Sequence, residues 1–321
     1  MRSLPRSTTL AAALALAATG ALRAQGLDSL VQRLSAMSAV TGFEDAMADT
    51  LLAMLPGAVT DRAGNVVLAR GSGSPVRVAA CPMDEVGWIV GAVTPEGYLT
   101  LHRVGTTAMG PLFDQFLEGQ RVTVFGRKGP VPGVVGVRSV HLTRGRTGGA
   151  DEPFSLDNAY VDVGAQDAAG VAALGIAVLS PLTRAKLPHR YGPGLGLFAV
   201  PWAAERASCA ALLSAARRAN PGPGTTVVAF TRRRHFAQDG AGFLAGQYPE
   251  AEIVLLGAAA ATEPGTGPVA GADSVQSLPG LRRVTSLALP ARYARTPVET
   301  VALADVAALE QWLAAWLGGA R

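Results

Sequence analysis

Val76-Arg77-Val78-Ala79-Ala80-Cys81-Pro82-Met83-Asp84-Glu85-Val86-Gly87-Trp88 marks the point where this chain changes character. Residues 76–80 are apolar but for one arginine. A strand of that composition is buried on both faces, as in a sheet with helices on each side. From Trp88 the pattern becomes short alternating segments with Gly or Pro turns, at residues 89–94, 98–104, 120–125, 133–137 and 160–163. Closely spaced strands of that kind predict a small β-barrel inserted into an α/β domain.

Upstream, Leu27, Leu30, Val31 and Leu34, then Met47, Leu51, Leu52 and Leu55, recur at helical spacing. The pattern breaks at Val40-Thr41-Gly42. A turn at Asp61-Arg62-Ala63-Gly64-Asn65 precedes a strand over residues 66–69. After about residue 195 the α/β pattern resumes, with helices expected over 207–219, 236–245 and 303–317 and strands over 226–231, 253–256 and 284–289. No internal repeat is visible.

With 321 residues, 49% of them apolar, the chain has ample material for a core, and its length suggests one large or two ordinary domains. Residues 1–24 read as a secretory signal peptide. Arg2 and Arg6 precede an apolar run from Thr9 to Leu22, too short to span a bilayer comfortably, and Ala21-Leu22-Arg23-Ala24 offers a cleavage point. The expectation is an exported protein, periplasmic or secreted, with no membrane span once the leader is removed. That leader carries three of the 28 Lys and Arg and none of the 24 acids, so the remainder is almost neutral. A neutral chain gives no electrostatic case for binding nucleic acid or an anionic membrane. Cys81 and Cys209 are the cysteines. In an exported chain they could bridge, but their apolar surroundings favour buried free thiols.

Several segments, in order, resemble the tetrahedral aminopeptidase and glutamyl aminopeptidase family of two-metal peptidases. Ala39-Val40-Thr41-Gly42-Phe43-Glu44-Asp45 is similar to the family's opening, and Asp61-Arg62-Ala63-Gly64-Asn65 to its D-x-x-GN turn. Met83-Asp84-Glu85-Val86-Gly87-Trp88 resembles HMDEIGf without its first residue. Gly119-Gln120-Arg121-Val122, Pro132-Gly133-Val134-Val135-Gly136, Asp162-Val163-Gly164-Ala165 and Arg292-Tyr293-Ala294-Arg295-Thr296-Pro297-Val298-Glu299 match further motifs. The resemblance implies an α/β/α aminopeptidase-like domain with a mixed sheet and an inserted β-barrel. Its parts are expected at 25–88 and 191–321, with the barrel at 89–190. It also implies large homo-oligomers.

The family's chemistry needs two metal ions held by imidazoles and carboxylates, with a separate Glu as general base for the metal-bound water. On the matching positions, Pro82 stands where the first histidine belongs, and Asp84 after it would orient that missing ligand. Ala204-Glu205 replaces the bridging Asp-Asp, so at most one acid remains. Arg234-His235 replaces the Glu-Glu pair, and an arginine cannot act as a base. Gly257 falls near the next aspartate, and Arg295 replaces the last histidine. The following Ala270-Gly271-Ala272-Asp273 arrives much sooner than in the family. The expectation is a metal-free relic site in a non-catalytic member with a binding or assembly role and no cofactor. Arg234 and Arg295 would replace the lost metal charge beside Asp84 and Glu205. A basic pocket of that kind also suits an anionic ligand such as a peptide carboxylate. The alternative is an active enzyme with zinc or cobalt on Cys81, Glu205, His235 and Asp84. A serine or cysteine hydrolase has little support, because no G-x-S-x-G occurs and His102, His141 and His189 have no marked partner.

Overall fold

The computed structural model describes residues 26–110, 112–136, 154–194, 196–260, 262–271 and 284–319. The leader, His141 and Asp273 lie outside them. Residues 26–35 form α1 and Asp45–Met54 form α2. Between them Gly42 turns the chain at φ 86°, a conformation that side chains disfavour. Then come β1 (Val59–Thr60), β2 (Val66–Gly71) and β3 (Val76–Pro82). The chain leaves for β4 (Trp88–Val93), β5 (Leu99–Arg103), β6 (Arg121–Gly126), β7 (Gly129–Val135), β8 (Val161–Asp162), α3 (Ala168–Ala173) and β9 (Pro181–Arg184). It returns through β10 (His189–Tyr191), β11 (Leu197–Ala199), α4 (Ala203–Arg218), β12 (Thr225–Thr231) and α5 (Asp239–Gln247). It closes with β13 (Glu252–Ala259), β14 (Val269–Ala270), β15 (Val284–Pro290), β16 (Thr300–Ala302) and α6 (Leu303–Leu317).

Among the described residues, seven strands form one sheet in the order β1-β2-β12-β3-β13-β15-β14. Strands β12, β3, β13 and β15 are parallel, and antiparallel strands lie at the edges. Strand β3 sits between two strands that follow it far along the chain, so strand order reverses around it. The crevice beyond the carboxyl ends of such strands is where open α/β sheets place their ligands.

Side chains alternate across β3 and decide what each face meets. Val78 and Ala80 join Val227, Ile253 and Leu244 beneath α5. Ala79 and Cys81 turn to the larger core under α1, α2, α4 and α6. Helix α4 is buried on all sides except at Arg217 and Arg218, and its Ala, Ser and Cys side chains let it lie close to the sheet. Cys81 therefore faces α4, and it forms a disulfide with Cys209, Cα to Cα 5.5 Å. The expectation of free thiols is corrected, because apolar surroundings suit bridged and free cysteines equally.

Strands β4 to β9 close into a barrel in the order β4-β5-β8-β7-β6-β9, filled by Trp88, Leu99, Leu101, Val124, Val161 and Leu182. Closure leaves no unpaired edge. Strands β10, β11 and β16 form a separate small sheet. The helix expected from 236 begins at Asp239, because Ala237 and Gln238 adopt left-handed φ of 53° and 57°. Among the described residues no helix is long and apolar enough to cross a membrane.

Candidate functional site

The sequence-predicted positions meet at the carboxyl edge of the parallel strands. Pro82 ends β3 directly opposite Thr231, the last residue of β12. Asp84 follows the first of these strands, and Arg234 and His235 follow the second. Gly257 lies near the end of β13, Arg295 beyond β15, and Ala204 and Glu205 in the first turn of α4.

Protein–protein contacts join them. Both terminal nitrogens of Arg234 donate to Glu205 Oε1 at 3.3 Å, and the pair is buried. The His235 main-chain N–H donates to Asp84 Oδ2 at 3.2 Å. Glu299, buried behind α4, accepts from Ala204 N at 2.9 Å and from Arg295 N at 2.7 Å. Ser208 Oγ donates to Gly257 O at 3.5 Å and ties α4 to β13. Arg295 thus engages through its main chain, and its guanidinium makes no ion pair among the described residues. Asp84 Oδ1 and Glu205 Oε2 are buried acceptors without a protein partner.

The imidazole of His235 is fully used. Arginine only donates, so Nε2 accepts from Arg234 at 3.2 Å, and Nδ1 then carries the proton toward Thr107 Oγ1 at 3.0 Å. Burial first, then Arg234, Arg295 and Arg206, push its pKa down to about 2. The ring is neutral at any ordinary pH, yet both nitrogens are engaged.

These residues do not fit a two-metal centre. Pro82, Ala204 and Gly257 offer no side-chain donor, and Arg234 occupies the space with a permanent cation. Cys81 is committed to its disulfide. Among the described residues no group of three or more His, Cys, Asp or Glu is placed to hold a metal ion. Structural and catalytic zinc sites need at least three such ligands.

The arginine run reads differently in three dimensions. Arg232 turns outward to Asp45 at 2.6 Å, and Arg233 reaches Asp239 at 3.0 Å and Ala63 O at 3.1 Å. Arg234 is the one directed at Glu205. Motifs elsewhere hold that loop. Asn65 Oδ1 accepts from Arg232 N at 3.0 Å, and its Nδ2 donates to Gly240 O at 2.9 Å. Glu44 Oε1 accepts from Gly42 N at 3.0 Å and Arg233 N at 2.9 Å. Burial, chiefly, and then Asp84 raise the pKa of Glu44 despite these donors. The D-x-x-GN turn and the segment around Glu44 thus position the loop rather than react.

Sequence reasoning gave no role to Glu299, Thr107 or Trp202. Trp202, at φ 64°, places its ring 5.5 Å from His235 and 6.4 Å from Phe113 of the barrel side. The terminal Glu of the last motif was the available signal for Glu299. Its carboxyl is pushed up to about 8, by burial first and then by the charge of Glu205. An unfolded glutamate titrates near 4.5, so between these values the folded chain keeps a proton that the unfolded chain has lost. The stability this group confers is fully present below pH about 4.5 and is lost as pH rises toward about 8. Glu299→Gln should flatten that fall in denaturant titrations across this pH window. Equal falls in parent and variant would refute the assignment.

A family model described as M42 glutamyl aminopeptidase matches residues 64–277. Among curated proteins the chain is similar to the putative aminopeptidase SgcX of Escherichia coli (strain K12). The two are 36% identical over 155 residues, covering 46% of this chain and 39% of that protein. It is also similar to the lysyl aminopeptidase of Pyrococcus furiosus, 27% identical over 182 residues, covering 55% and 49%. The chain therefore matches less than half the length of these relatives. Among solved structures, the aminopeptidase APDkam598 of Desulfurococcus kamchatkensis superposes with a TM-score of 0.81 at 20% identity, covering 93% of this chain and 96% of that one. The TET1 peptidase of Pyrococcus horikoshii, described as assembling into a tetrahedron or a large octahedral shell, gives 0.79 at 20% identity, covering 91% and 99%. These structural likenesses show a shared fold.

Proposed function

The chain belongs to the M42 glutamyl aminopeptidase family, and on that premise we propose that it is an exported member without peptidase activity, using the scaffold for binding or assembly. The observation that carries this reading is the buried Arg234–Glu205 pair at 3.3 Å, with Arg234 also bonded to His235 Nε2. Metal-assisted hydrolysis needs an open ligand set, a bound water and a general base. Here a guanidinium engages both the surviving acid and the imidazole, and it stays protonated at any working pH.

Two features support export: the apolar leader and the Cys81–Cys209 disulfide, a bond that persists in oxidising compartments. Assembly into a homo-oligomer is part of the proposal, supported by the multimeric TET peptidases that share the fold. The ligand class that suits the arginines is an anion such as a peptide carboxylate.

The test is elemental analysis of protein purified without chelators, together with assays on aminoacyl chromogenic substrates with and without added cobalt. Far less than one equivalent of zinc, cobalt or manganese is expected, and no cleavage above background. Two tightly held equivalents, or metal-dependent turnover abolished by His235→Ala, would overturn the reading.

A further inference from the structure

Two crossings join the barrel to the body, one outward through Glu85-Val86-Gly87 and one back through Ala185-Lys186. An insert held by two connections swings about them unless something fixes both. Here both are fastened at one buried point. Lys186 Nζ pairs with Glu85 Oε2 and donates to Pro201 O at 3.4 Å. Arg206 of α4 reaches Glu85 Oε1 at 3.5 Å and donates to Met83 O. The same Oε1 accepts from Ala39 N at 3.0 Å. The side chains of Glu85, Lys186 and Arg206 are 1%, 4% and 1% exposed, so water does not screen them. One carboxylate serves two cations, and its loss leaves each with a main-chain carbonyl alone.

The backbone around this point is equally tight. Glu85 N donates to Ala39 O at 2.8 Å, and Thr41 N to Glu85 O at 2.9 Å. Ser38 and Thr183 share a 2.8 Å hydrogen bond. At Gly87 a Cβ would lie 2.6 Å from Val40 Cγ2 and 2.9 Å from Leu182 O, so only glycine fits the crossing.

What the fastening holds is a cover. Residues 104–107, which follow β5, lie directly on His235. Thr106 N donates to His235 O at 2.7 Å, and Thr107 Oγ1 meets Nδ1 at 3.0 Å. At Gly105 a Cβ would stand 3.0 Å from both the Cβ and the carbonyl oxygen of His235. These contacts join the segment after β5 to the loop after β12, so a swing of the barrel on its two crossings would strain them directly.

We propose that the Glu85–Lys186–Arg206 cluster is a latch that keeps the 104–107 loop closed over His235 and the Arg234–Glu205 pair. Access to those side chains is then governed at the two crossings. The latch does not depend on whether the site is catalytic.

Amide-resolved hydrogen exchange on the full chain tests this. In Glu85→Gln, the Thr106 amide should exchange at least about tenfold faster than in the parent, while Val124 in the barrel and Val228 in the body sheet keep parental protection. Lys186→Met retains the Glu85–Arg206 contact and should give a smaller rise at Thr106, and it decides the matter if Glu85→Gln does not fold. Parental exchange at Thr106 in a folded variant would overturn the proposal. So would a rise spread evenly over Thr106, Val124 and Val228, which marks general destabilisation instead of a released latch.

Discussion

Reduction of Cys81–Cys209 is expected to lower the unfolding free energy by about 3 to 5 kcal/mol. The bridge joins residues 128 apart in sequence, so breaking it frees a long loop in the unfolded state. Its position adds a local consequence. Cys81 directly precedes Pro82 and lies three residues before Asp84, and Cys209 lies one helical turn beyond Glu205. The bond therefore braces the strand end and the helix that carry the candidate site. Denaturant titrations with and without a strong reductant, with thiols counted at the end, measure the effect. A Cys81→Ala, Cys209→Ala variant in oxidising buffer should match the reduced parent to within the cavity cost of the lost sulfurs. Equal midpoints for the oxidised parent and for protein with two proven free thiols would refute it.

The fold was legible because its signals are local and periodic. A nearly all-apolar run at 76–80, short and bounded by turn residues, reads as a strand covered on both faces, and the short alternating segments from 89 announce a closed all-β unit. The positions of the candidate site were legible for a different reason: ordered motifs fix their place relative to strand ends. What could not be read was direction and pairing. Three adjacent arginines look alike in sequence, yet left-handed φ at Arg233 sends its neighbours to different partners, Asp45 for Arg232 and Glu205 for Arg234. Cys81 and Cys209 pair because β3 alternation turns Cys81 toward α4, a fact that appears only once the helix is placed. Arg295 illustrates the converse. Its expected role was a side-chain charge, but Glu299 holds its main-chain N–H while the guanidinium is left without an ion pair among the described residues. Buried carboxyls such as Glu299 carry no sequence mark of their burial at all.

These directions set the second large expected effect, which lies at Arg234. Arg234→Ala should destabilise the fold by about 3 to 5 kcal/mol, because it leaves Glu205 buried and ionised with no cation beside it. The other oxygen of Glu205 has no hydrogen-bond partner, so Arg234 supplies the hydrogen bonds that the side chain receives. The cost falls on the missing partner and not on the pair as such, since buried ion pairs contribute little net stability when set against apolar residues of similar size. Arg234→Met combined with Glu205→Leu should accordingly recover most of the loss, and a double-mutant cycle reads the coupling directly. Arg232→Ala is the control from the same loop. Its partner Asp45 has a side chain 84% exposed, so the pair is worth no more than about 1 kcal/mol. Arg295→Ala should resemble that control, having no carboxylate to abandon. Adding a chelator should change none of these midpoints if Arg234 supplies the positive charge at the site. An Arg234→Ala protein that melts with Arg232→Ala would mean that Glu205 finds compensation from solvent, and the site would then be simple decay with no charge replacement behind it.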